Sequence, residues 1–129
     1  MSESTGHEYL KSHALSGDAL LLDLDAESTA ILDAAKSAGV GHTAKTLVKD
    51  GPLRLLLLGF RAGATMHEHQ APGPVSIHIL QGNVDITSEG RSDSLAPGAA
   101  IVFGPSVSHS LEAKSDATVL VTIAWPESC

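Results

Sequence analysis

The chain has 129 residues, 43% of them hydrophobic, and a formal charge of −7 from 8 basic and 15 acidic side chains. This length supports one domain with one hydrophobic core, and the composition excludes a disordered tail or a coiled coil. The acidic balance argues against a nucleic-acid partner, and four aromatics (Tyr9, Phe60, Phe103, Trp125) leave little for base or sugar stacking.

Residues 1–17, rich in Ser, Gly, His and Glu, read as a loosely held lead-in. Their polar, acidic start differs from the basic and then apolar pattern of a signal peptide. The apolar run around Leu55 to Phe60 is too short to span a bilayer. A single cysteine, Cys129, precludes an internal disulfide, so a reducing cytoplasmic setting is expected and no membrane is expected as a partner. Ala19 to Asp25 suits either a short strand or the approach to a helix. The spacing of Ile31, Ala34, Ala35 and Ala38 then predicts a helix over about Ala26–Ala38, with Asp25 as N-cap and Gly39 and Gly41 as the stop. Its alanine-rich, mildly apolar face suits packing on the outside of a sheet better than a membrane.

From residue 43 onward the pattern is that of strands. Thr43 to Lys49 leads through Asp50-Gly51, a hairpin signal, into the long apolar run Leu53 to Phe60, which suits burial on both faces. Ala64 to His69, Val75 to Leu80, Val84 to Ser88, Arg91 to Leu95, Ala99 to Phe103, Ser108 to Ala113 and Ala117 to Trp125 come next, punctuated by Gly, Pro, Asn and Asp. Ala71-Pro72-Gly73-Pro74 must be a loop, because prolines cannot serve a central ladder. Short strands about ten residues apart predict an all-β sandwich or barrel. The division expected is 1–42, lead-in and helix, and 43–129, a single barrel domain.

Among the seven histidines, His67, His69 and His109 are the candidate chemistry. On a strand of period two, His67 and His69 share a face, and two imidazoles converging on one point suit a metal ion. Glu68 then faces away. A barrel can bring His109, at the head of a later strand, to the same interior point. His78 differs in parity from Val75, Ile77 and Ile79 and is expected on the outer side, unless a bulge after Pro74 turns it inward as a fourth ligand. Gln70 is the other candidate for that position. Glu112 falls on the opposite face from His109. His7, His13 and His42 are expected in solvent, and Arg54, Arg61 and Arg91 are candidate anion partners at a barrel mouth or plain surface charges.

Two stretches carry a family resemblance. Gly63-Ala64-Thr65-Met66-His67-Glu68-His69 with Ile77-His78-Ile79-Leu80-Gln81-Gly82-Asn83-Val84 resembles the first cupin motif, and Pro97 to Leu111, through Gly104-Pro105 to His109, resembles the second. The resemblance covers about Leu53 to Trp125 and implies a cupin-type jelly-roll β-barrel. It implies no single activity, since cupins include oxygenases, isomerases, epimerases, sugar-binding and storage proteins. Val75 stands where the family's glutamate ligand is usual, and the proline of the second motif is displaced to Pro105. The implied site is a divalent metal on His67, His69 and His109, with His78 or Gln70 as a fourth ligand and Fe(II) favoured over Ni, Zn, Mn or Cu. Without the carboxylate such a site carries +2, which favours a small organic anion. The resemblance to three-histidine cupins, thiol and β-diketone dioxygenases among them, implies dioxygen chemistry. The alternative is a non-catalytic cupin that binds a metal or small ligand as a sensor or stress-linked module. A homodimer is expected, with the segment before about residue 50 contacting the partner.

Overall fold

The structure, a computed structural model, describes residues 19–126 of the chain. The expected lead-in 1–17, with His7 and His13, and Cys129 lie outside these residues. One helix, α1 (Leu24–Ser37), precedes nine strands: β1 (His42–Asp50), β2 (Leu53–Phe60), β3 (Thr65–His69), β4 (Val75–Gln81), β5 (Val84–Ser88), β6 (Arg91–Leu95), β7 (Ala100–Phe103), β8 (His109–Ala113) and β9 (Ala117–Ala124). Two antiparallel sheets, ordered β1-β2-β9-β4-β7 and β3-β8-β5-β6, face each other as a jelly roll. Of the described residues, no helix is long and apolar enough to cross a membrane.

The helix begins two residues before the position expected. Asp23, and not Asp25, is the N-cap: its Oδ1 accepts the Ala26 N–H at 3.1 Å, which frees Asp25 and Glu27 to meet the positive end of the helix dipole. Ile31, Ala35 and Ser28 form the buried face. They pack on the outer side of the five-stranded sheet, where Ile31, Leu47, Val48 and Leu57 make a small core joined by Leu22, Leu24, Leu53, Leu55, Leu80 and Leu120. Adjacent Leu47 and Val48 can both be buried because the β1–β2 register slips between Thr46 and Val48. Lys45 of β1 reaches Glu27 of α1 at 2.6 Å, with both side chains largely buried, and ties helix to sheet.

The principal core lies between the sheets. Leu58, Phe60, Val75, Ile77, Ile79, Val84, Ile86, Leu111 and Val119 are buried there. Strand alternation explains the division in β2 and β9: Leu56, Leu58 and Phe60 with Val119, Val121 and Ile123 turn inward, whereas Leu55, Leu57 and Leu120 turn towards α1. The reading of β2 as buried on both faces is thus borne out. The other sheet turns polar residues to solvent, as in the Ser94–Asp85 hydrogen bond across β5 and β6.

Candidate functional site: two histidines at the end of an apolar cavity

The inward residues of the two sheets do not fill the space between them. A cavity of about 280 Å³ remains, walled by Leu56, Leu58, Ile77, Leu111, Val119 and Val121 among other apolar groups. Among the described residues, the polar ones lining it are His69, Gln70 and His109. The exposed residues His69, Gln70, Pro72 and Trp125 mark its mouth. The β3–β4 loop closes down on this rim. A Cβ at Gly73 would stand 1.8 Å from the Ala124 carbonyl oxygen, so only glycine allows the loop to lie against the end of β9. The β7–β8 loop holds the same segment, with the Ser106 N–H donating to the Ala71 carbonyl at 2.8 Å.

His69 and His109 are register partners on β3 and β8, and their rings meet edge to face with centroids 4.4 Å apart. His109 is only 3% exposed. Phe103 stacks on it at 4.8 Å and 7°. Each imidazole is held by the same local device. His69 Nδ1 lies 3.2 Å from the His67 carbonyl and His109 Nδ1 lies 3.1 Å from the Val107 carbonyl. A carbonyl only accepts, so both Nδ1 atoms carry protons, and neither Nε2 has a hydrogen-bond partner among the described residues. Desolvation holds the His109 pKa below 6.5 against the opposing pull of the Val107 carbonyl, with a smaller lowering from His69. At neutral pH its Nε2 is therefore a lone-pair acceptor.

His67 does not join them, which corrects the shared-face expectation. Between the pairs Met66↔Leu111 and His69↔His109, β3 advances three residues while β8 advances two. The extra residue is a β-bulge, and it reverses the parity of the residues beyond it. Met66 and His69 both line the cavity, and His67 lines a separate outer cleft with His42 and Arg61. Phe103, the stacking partner of His109, was not singled out from the sequence at all.

The other candidates are dispersed. Gln70 is at the mouth. His78 pairs with Leu120 and Ala100, in parity with the outward Leu80, as expected without a bulge after Pro74. Glu112 is exposed. His42 is half-buried with its ring 5.6 Å from Phe60, not free in solvent. Arg54 stacks over Trp125 at 5.2 Å and donates to the Gly51 carbonyl, which places one cation beside the mouth. Arg61 is exposed and donates to the Lys36 carbonyl, and Arg91 pairs with Asp93.

The donor set can be tested against a resident metal. Open catalytic centres hold the ion by three protein ligands. Two imidazoles and one amide face this cavity, and the next lining positions after Gln70 are Ala71, Pro72 and Val75, which have no donor side chains. Among the described residues no group of three or more His, Cys, Asp or Glu side chains is placed to hold an ion. The set falls short of the three histidines expected from the sequence: His69 and His109 face the cavity, with the Gln70 amide as the third side-chain donor.

No family model and no curated protein matches this sequence. Solved structures do. A cupin superfamily protein from Desulfitobacterium hafniense superposes with a TM-score of 0.63 at 20% identity, covering 66% of this chain and 78% of its own. KdgF from Halomonas sp. gives 0.60 at 24%, covering 67% and 82%. Salicylate 1,2-dioxygenase from Pseudaminobacter salicylatoxidans gives 0.68 at 18%, covering 77% of this chain but 33% of that longer one. With two facing antiparallel sheets, and a cavity between them entered beside β3 and β8, the chain has the cupin fold.

Proposed function

We propose that this chain is a small-molecule-binding cupin that takes a largely apolar ligand into the barrel, with the polar end of the ligand at His69 and His109. The observation that carries this reading is a cavity of about 280 Å³ lined, among the described residues, by thirteen apolar and three polar ones. An apolar cavity of roughly 150 Å³ accepts benzene, so this one has room for a substituted ring. The corresponding role is that of a sensor or carrier, since besides the two imidazoles the cavity wall has no carboxylate, hydroxyl, thiol or amine among the described residues. Trp125, the single tryptophan and a lining residue, is a built-in reporter of occupancy. Titration of wild type and Ala71→Phe with single-ring arenes tests the reading. Wild type should give saturable fluorescence changes, and about 2.7 kcal/mol of stabilisation at 100 times Kd. Ala71→Phe should give neither. A wild type that saturates with none of them refutes the reading.

The second reading is a metal-dependent dioxygenase acting on a small organic anion. Two imidazole Nε2 atoms without protein partners favour it, as does the likeness in fold to a salicylate dioxygenase. It needs a third donor: His67 on an unbulged β3, or water beside Gln70. Metal analysis of untagged protein decides between the two. One equivalent of iron, nickel, zinc, manganese or copper, lost in His109→Ala, would replace the first reading by the second. In either case the proposal includes a cytoplasmic homodimer, supported by β1 as a sheet edge and by Leu21, 96% exposed, just before α1. A monomer in light scattering would refute the dimer.

A further inference from the structure

Resting on the reading of the cavity as a binding site, we infer that it selects a neutral ligand carrying a hydroxyl, a phenol or comparable alcohol that donates its proton to His109 Nε2. The carboxylate of the same body is excluded. The direction of the hydrogen bond is set by the opposite edge of each ring. His109 Nδ1–H donates to the Val107 carbonyl and His69 Nδ1–H to the His67 carbonyl, so in this tautomer the Nε2 of each ring is left to the cavity as an acceptor. Phe103 stacked on His109 and the edge contact from His69 hold that ring in plane, so its lone pair keeps one direction.

The two acceptors differ in what they need. His69 is exposed at the mouth and can be satisfied by water. His109 is 3% exposed in a wall of apolar side chains, where an acceptor left unpaired beside a bound ligand is costly. A ligand that fills the space at His109 must therefore supply a donor. A carboxylate brings more lone pairs and a charge, and among the described residues no Lys or Arg lines the cavity to meet it. Arg54, the cation beside the mouth, is engaged with the Trp125 ring and the Gly51 and Leu53 carbonyls. The apolar walls fix the rest of the ligand as hydrocarbon, of the size of a substituted ring.

The test uses three probes of one shape on the full chain at pH 7.5 with chelator present: 4-ethylphenol, its methyl ether and 4-ethylbenzoate. Affinities are read from Trp125 fluorescence and calorimetry. The phenol should bind roughly tenfold or more tighter than the ether, the range expected for a hydrogen bond to a buried acceptor, with the benzoate weakest. His109→Phe should bring phenol and ether to equal affinity, and His67→Ala should leave the ratio unchanged. Should His109→Phe fail to fold, the His109 Nε2 nitrogen resonance of wild type must move with the phenol and not with the ether. Equal affinities for phenol and ether in wild type overturn the inference and leave the cavity reading standing. A benzoate that binds tightest overturns it too, as does binding that appears only after metal is added. If neither neutral probe binds with or without metal, the cavity reading itself fails.

Discussion

Gly59 lies at the point where α1 rests on β2, and replacing it by alanine should loosen that contact without touching the cavity. A Cβ there would stand 2.8 Å from the Ile31 carbonyl oxygen, 3.0 Å from its carbon and 3.1 Å from Ile31 Cγ2. Two of these three are helix backbone, which cannot rotate aside, so α1 must lift by several tenths of an ångström. Overpacking of this kind costs about 1–3 kcal/mol. Alanine's lower conformational entropy cost offsets about 0.5–1 kcal/mol, leaving a net loss centred on about 1 kcal/mol. Urea denaturation should show a lower midpoint at unchanged slope, since the surface exposed on unfolding is the same. Gly104→Ala is the control, with nothing within 4 Å of its Cβ, and should be close to neutral. Ligand binding should persist in Gly59→Ala, because the neighbours Leu58 and Phe60 face the other way, into the main core. A Gly59→Ala protein as stable as wild type would refute this close packing of α1 on β2.

The same packing sets three further outcomes. Thr118, fully buried and paired with Gly59, has an Oγ1 with no hydrogen-bond partner among the described residues, so Thr118→Val should raise stability by about 1 kcal/mol in the same urea assay. Asp23→Ala removes the N-cap acceptor of α1 and should cost about 1 kcal/mol, with reduced helical signal in circular dichroism. Burial holds the folded His109 pKa below 6.5, so the unfolded chain takes the proton first as pH falls. This residue's contribution to stability is then whole above about pH 6.5 and declines below it until the folded-state pKa is passed. Urea midpoints at pH 8 and pH 5.5 should differ more in wild type than in His109→Gln, and an equal difference would place His109 in a solvated environment.

The sequence by itself determined the elements. The apolar run of β2, the turn residues between the later strands and the alternation in Val75, Ile77 and Ile79 are local signals, and they yielded the nine strands and the placing of the helix before them. Local signals also placed His78 outward, because alternation holds through β4 up to its far end. The helix start was misjudged by two residues because Asp23 and Asp25 are both good caps, and only the packing of Ile31 and Ala35 on β1 and β2 chooses the phase. Which histidines meet was a tertiary decision. His69 faces His109 because β8 pairs with β3 across a bulge, and an inserted residue reverses every side chain beyond it. Period-two reasoning within β3 sees no partner strand, so it kept His67 and His69 together. The cavity was equally out of reach of the sequence. Leu, Ile and Val at inward positions read the same whether the two sheets close on each other or, as here, stand far enough apart to leave room for a ligand.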